Sequence, residues 1–158
     1  TMGGQAVRQA CSVCEMDVNM QHGVLECAQN GDFVRLRRLL DAGAKVDVRN
    51  QDGESAICIA AANGHMEVCK ALIGSGCDIN ATTDDYSTPL MLAAEEGHLA
   101  ICRLLLESGA MEAQKDENGF TAADRCDQTM KADFQLLVRE VSAGYCSGAA
   151  QQQKDGPG

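Results

Sequence analysis

The chain has 158 residues, a formal net charge of −10, 3% aromatic residues and no tryptophan. That length suits one domain, and with so few rings the core must be built from Leu, Ile, Val, Ala, Met and Cys, as in packed helices rather than a sheet sandwich. The acidic balance argues against a phosphate-backbone partner, so no nucleic-acid role is expected, and no apolar run is long enough for membrane insertion.

Residues 1–16 stand apart from the rest of the chain. Val7, Ala10, Cys11 and Cys14 fall at i, i+3, i+4 and i+7, a weak helical stripe suited to capping the next segment. Cys11 and Cys14, with His22 and Cys27 downstream, are zinc-type ligands at a spacing that matches no standard finger; metal binding and thiol redox sensing are therefore the lesser alternatives there. Nine cysteines, an odd number, read as thiols of a reducing intracellular compartment, the cytoplasm by default, rather than a disulfide framework.

From residue 17 a step of 33 residues governs the chain. Gly31, Gly64 and Gly97 keep it, as do Gly43, Gly76 and Gly109, while Leu39, Leu72, Leu105 and Val138 carry it through four units. The units run 17–49, 50–82, 83–115 and 116–141. In the first, Phe33, Leu36, Leu39 and Leu40 mark a helix whose Arg35, Arg37 and Arg38 form a basic cluster, read as a solvated face or a patch for acidic ligands. The third is the most regular. Thr88 suits an N-cap and Pro89 the first helical position, where a missing N–H is no loss. Gly97 ends that helix, and Leu99, Ile101, Cys102, Leu104, Leu105 and Leu106 build a second one, stopped by Gly109. Neither helix can bury its apolar face alone, and helix pairs at a fixed period are the mark of a stacked solenoid. From Ser142 the composition turns to Gly, Ala, Ser and Gln, and residues 142–158 are expected to form a flexible tail.

Thr88-Pro89-Leu90, the pairs Gly64-His65 and Gly97-His98, and Gly76-Cys77-Asp78-Ile79-Asn80-Ala81 resemble the ankyrin repeat, over roughly residues 17–141. The resemblance implies an all-α solenoid of helix-turn-helix units joined by short hairpin-like loops, and a non-enzymatic protein–protein interaction module. Departures are visible. Gly23-Val24-Leu25 and Ala122-Ala123-Asp124 replace the Thr-Pro-Leu opening and its sequel in the end units, and Arg125, Cys126 and Asp127 replace a small-residue pair. Cys58 and Met91 stand where the family usually has a histidine that links neighbouring repeats, so weaker coupling is expected. His65 and His98 repeat at one register and read as structural.

The family likeness further implies that the hairpin tips and the exposed side of each first helix line a concave groove. The corresponding positions are Gln51, Asp52, Glu54 and Asn63, then Asp84, Asp85, Ser87, Glu95 and Glu96, then Glu117, Asn118, Phe120 and Gln128. Seven of these are acidic, which predicts a groove that takes a basic protein or peptide segment. Tyr86 occupies the tip place held by Gly53 and Gly119, where a positive φ is preferred, and with Phe120 it is a candidate aromatic anchor, set against a Tyr86 that merely relaxes the turn and a Phe120 folded back onto its own repeat. The alternative is a structural or adaptor subunit built permanently into a larger intracellular assembly. Asn80 is a site at which repeats of this kind can be hydroxylated, set against an asparagine that merely bonds its turn. No catalytic set converges, Gly74-Ser75-Gly76 lacks the lysine and strand of a nucleotide loop, and no cofactor is expected.

Overall fold

Each 33-residue unit supplies two helices too short to stand alone, and they are stabilised by stacking in two layers. The structure, a computed structural model, describes residues 18–154, with backbone alone over 144–154. Helix α1 covers 18–30 and α2 Phe33–Asp41; α3 (Ala56–Asn63) and α4 (Met66–Gly74) come next, then α5 (Pro89–Glu95) and α6 (Leu99–Glu107), then α7 (Ala122–Arg125) and α8 (Gln128–Lys154). First helices pack on first helices, α3 on α5 and α5 on α7, while α2, α4, α6 and α8 form the second layer. Among the described residues the remaining regular pairing is one isolated antiparallel bridge, Arg49 to Ser55. The chain is thus an all-α solenoid of four helix pairs.

The period is the core's own. Val24, Ile57 and Leu90 are buried at one register, Cys27, Ala60 and Ala93 at a second, and Ala28, Ala61 and Ala94 at a third. The alanines let neighbouring first helices approach closely, and the larger residues each contribute about 1.5–3 kcal/mol by leaving water. In the second layer Leu36, Cys69 and Cys102 share a fully buried register.

Helix ends are closed by bonds that also join repeats. The N–H of His65 donates to the Ala60 carbonyl at 3.0 Å and that of His98 to the Ala93 carbonyl at 2.8 Å. Each imidazole then reaches back one repeat. His65 Nε2 lies 3.0 Å from the Gln29 carbonyl oxygen and His98 Nε2 3.2 Å from that of Ala62; because a carbonyl only accepts, Nε2 carries the proton in both. The ring sits where the preceding glycine leaves room. A Cβ on Gly31 would stand 2.5 Å from His65 Nδ1, and one on Gly64 2.8 Å from His98 Cε1. At the last junction Met130 takes the ring's place against Gly97. Side chains on the inter-repeat turns add staples: Asp47 Oδ1 accepts from the Asp78 N–H at 3.0 Å, and Asn80 Oδ1 from the Met111 N–H at 2.8 Å.

Cys58, in the usual histidine place, is buried and bonds within its own unit: its thiol donates to the Ala81 carbonyl at 3.6 Å and accepts from the Ser55 hydroxyl at 3.3 Å. Beyond Ser142, in the segment expected to be a tail, the backbone is helical to Lys154. No proline interrupts before Pro157, and Ala143, Ala149, Ala150 and Gln151 to Gln153 favour helix over the opposing Gly144 and Gly148. The proposed capping stripe in 1–16 lies outside the described residues.

Gly64 and Gly76 separate the two demands on a glycine. Both have positive φ, +80° and +85°, but nothing lies within 4 Å of a Cβ on Gly76. Gly76→Ala should cost about 1 kcal/mol, from left-handed backbone alone, and Gly64→Ala about 2–3 kcal/mol, because His98 must also move. Urea unfolding of the two variants reads the difference.

Candidate protein-interaction surface

Three five-residue tips, 50–54, 83–87 and 116–120, are built alike. The first N–H donates to the fifth carbonyl: Asn50 to Glu54 at 2.9 Å, Thr83 to Ser87 at 3.0 Å, Asp116 to Phe120 at 3.0 Å. The first side chain accepts from the fifth N–H, through Asn50 Oδ1 (2.9 Å), Thr83 Oγ1 (3.1 Å) and Asp116 Oδ1 (2.9 Å). Asn, Thr and Asp are interchangeable here because each offers a short-armed oxygen to the turn. The fourth residue is left-handed in all three: Gly53 at φ 74°, Tyr86 at 60° and Gly119 at 82°. Tyr86 is the one non-glycine residue with positive φ among those described. Holding a tyrosine there costs about 1–2 kcal/mol.

The tips join into a continuous ridge. The Glu117 N–H donates to the Asp85 carbonyl at 3.1 Å, and Arg49 Nη1 donates both to Gly53 O on its own tip and to Thr82 O at the foot of the next. Along this ridge Asp52, Asp84, Asp85, Glu117 and Asn118 are exposed, as is Glu96 at the end of α5. Tyr86 is 61% exposed and Phe120 52%.

The structure does not bring every predicted contact residue to that surface. Ser87 is buried, a correction: its N–H and carbonyl close the tip and its hydroxyl accepts from Arg125 Nη1 at 3.1 Å. Glu95 is exposed but ion-paired, its Oε2 lying 3.1 Å from Arg125 Nη1. Glu54 is half-buried, accepting from Asn50 Nδ2 at 2.8 Å, and Asn63 donates to the Ile59 carbonyl at 2.9 Å. Gln51 and Gln128 are exposed. Asn80 is half-buried, and its side chain is engaged in the staple to the third repeat. The basic cluster sits on α2 in the second layer, where Arg35 pairs with Glu26 at 2.9 Å.

Arg125 is the residue that sequence reasoning missed. From α7 it reaches Ser87, Glu95 and Asp116, tying the fourth repeat to the third. Its Nε lies 2.9 Å from Asp116 Oδ2 as a charge contact rather than an aligned hydrogen bond. Burial alone would raise the Asp116 carboxyl, but the N–H groups of Phe120 and Asn118 and the Arg125 guanidinium together hold it below its ordinary value. The available signal was the arginine itself, a cation standing at the register that Ile59 and Leu92 hold in the other repeats.

A separate groove of about 590 Å³, lined by Leu106, Ala110, Met111, Val138 and Val141 among others, runs between the turn after α6 and α8. It contains none of the predicted contact residues.

With the tips and their bonds established, the comparison with known families is decisive. A family description, "Ankyrin repeats (3 copies)", matches residues 24–118, more than half of the chain. The chain belongs to the ankyrin repeat family. A search of curated proteins returned no match. Ankyrin repeats are protein–protein interaction modules, and the matched span covers the first two ridge tips and opens the third. Among the described residues no helix is long and apolar enough to cross a membrane.

Cys11 and Cys14, the candidate metal pair, lie outside the described residues; of their suggested co-ligands, His22 is exposed on α1 and Cys27 is buried in the core. Burial pushes the thiols of Cys69, Cys77 and Cys102 up to about 12, so near neutral pH they are protonated and inert. They should resist iodoacetamide at pH 8 in the folded protein and label fully in denaturant, as read by peptide mass mapping.

Asp116 contributes to the acid response, as does Asp124, whose carboxyl the Thr121 N–H and hydroxyl hold below its ordinary value. A carboxyl lowered by folding contributes stability that is present above its ordinary value of 3.8 and is lost as pH falls through the lower folded value. Thermal scans should show Tm falling below about pH 4. Asp116→Asn should have a lower Tm than wild type at pH 7 and a shallower fall in acid.

Proposed function

We propose that this ankyrin repeat domain binds a basic segment of a partner protein along the ridge of its second, third and fourth repeats, without chemistry of its own. The observation that carries the reading is a row of exposed carboxylates without a side-chain partner among the described residues: Asp52, Asp84, Asp85 and Glu117 on tips that hydrogen bonds hold to one another, and Glu96 at the end of α5. Unpaired like charges on a fixed scaffold repel one another, and a cationic ligand relieves that repulsion while being steered toward the site. Glu95 is not part of this row, because Arg125 already neutralises it.

Selection from a displayed library of random dodecapeptides tests this. The wild-type domain should enrich peptides rich in lysine and arginine. Their binding should weaken as salt rises, and fall about tenfold or more in an Asp84→Asn, Asp85→Asn, Glu96→Gln, Glu117→Gln variant, at ~0.2–1 kcal/mol for each exposed charge. Enrichment of peptides without basic residues, or equal binding by the variant, would remove the reading.

A further inference from the structure

Helix α7 is built unlike the first helices before it. α3 buries Ala56, Ile57, Cys58, Ala60 and Ala61, and α5 buries Pro89, Leu90, Met91, Ala93 and Ala94, whereas α7 buries Ala122 alone. Asp124 is exposed at the register where Cys58 and Met91 are buried, and Arg125 stands in the place of Ile59 and Leu92. The earlier helices run into left-handed glycines, Gly64 and Gly97, but α7 runs into extended backbone at Cys126, with φ −64° and ψ 136°.

The bonds that join the earlier repeats are also replaced here. Lys131 holds the register of His65 and His98, and its Nζ turns to Asp124 of its own repeat, 3.7 Å away. Ala113 holds the register of Asp47 and Asn80 and has no side-chain oxygen for a following turn. Polar ties fasten residues 116–127 to the third repeat instead: Arg125 to Ser87 and Glu95, and the Glu117 N–H to the Asp85 carbonyl. Arg125 is aimed by Asp116, whose side chain is wholly buried and whose Oδ2 meets the guanidinium without an aligned hydrogen bond. α8 does not depend on this segment, because it packs on α6 and buries Phe134 and Leu137. A segment with little apolar burial, flanked by well-packed helices, opens at a lower free energy than they do.

We infer that residues 116–127 form a flap that opens off α5 as one body while α6 and α8 stay packed, and that Arg125 with Asp116 is its latch. Opening unpairs Glu95, draws Glu117 away from Asp85 and uncovers the side of α5 on which α7 packs. The device holds whatever the ridge binds.

Cys126, 5% exposed at the end of the flap, reports the opening, because a buried thiol reacts only when it is uncovered. The whole chain is treated with iodoacetamide at pH 8, and peptide mass mapping gives the rates at Cys126 and, as controls in the second repeat, at Cys69 and Cys77. In wild type the Cys126 rate should hardly change in low urea, because a local opening exposes little surface, while the two controls speed up as the stack unfolds. Arg125→Leu leaves Asp116 buried without its cation, and should speed Cys126 about tenfold or more with the controls unchanged. Adding Asp116→Asn supplies an asparagine and an aliphatic side chain, as the second repeat has in Asn50 and Ile59, and should slow Cys126 to the wild-type rate or below. A wild-type Cys126 that follows urea in step with Cys69 and Cys77 overturns the inference, as does an equal speeding of all three in Arg125→Leu, since the stack would then open as a whole. A double variant that labels as fast as the single one overturns the latch. Amide exchange of the wild type should show 116–127 less protected than α6 and the 128–141 part of α8; equal protection overturns the flap.

Discussion

The stack depends on one contact made repeatedly: a histidine at the start of a second helix reaches back to the end of the preceding repeat's first helix, over a glycine that has no side chain to obstruct it. His65 over Gly31 and His98 over Gly64 are the two instances, each completed by a bond to a carbonyl near the end of the earlier helix. The constraint is double. The glycine must be left-handed to end its helix and bare to admit the ring, and the ring must carry its proton on the nitrogen that meets the carbonyl. Helices of seven to nine residues, such as α2 to α6, would not persist alone. Stacking converts them into a continuous two-layer core.

That regularity is what sets the geometry of the proposed binding ridge. Once helix pairs repeat, the loops between them fall in line, and a common set of turn bonds makes each tip rigid whether its first residue is Asn50, Thr83 or Asp116. Rigidity matters to a binding face because side chains on preordered tips lose less freedom when a ligand arrives. The fourth repeat, whose opening lacks the usual capping proline, is held by other means: Arg125 draws together Ser87, Glu95 and Asp116, and a capping box between Thr121 and Asp124 starts α7. The same arginine decides which carboxylates remain available to a partner.

Most of the fold was legible, because it is written as spacing. The glycines, the leucine register and the Thr88-Pro89 cap each state a local requirement that the structure meets, and the left-handed place of Tyr86 followed from its alignment with Gly53 and Gly119. The site was legible only in outline. Spacing marked Ser87 and Glu95 as tip and helix-end residues, but it carries no information about what a long side chain 38 or 30 residues away will do, and Arg125 occupies both. Cys58 was read as a lost link because histidine was absent, and its thiol bonds Ser55 and Ala81 within its own unit. Over 142–154 composition speaks to the shortage of apolar surface and not to backbone form, and the backbone there continues α8.

The ridge and the groove at the far end, by Met111, Val138 and Val141, are the two surfaces between which a decision is needed. Amide chemical-shift mapping of the folded domain, titrated with an arginine-containing peptide, distinguishes them in one experiment. The largest shifts should fall on Asp84, Asp85, Tyr86, Glu117 and Phe120, with smaller ones at Asp52. Shifts concentrated at Met111, Val138 and Val141, or on the basic face of α2, would contradict the assignment of the ridge as the working surface.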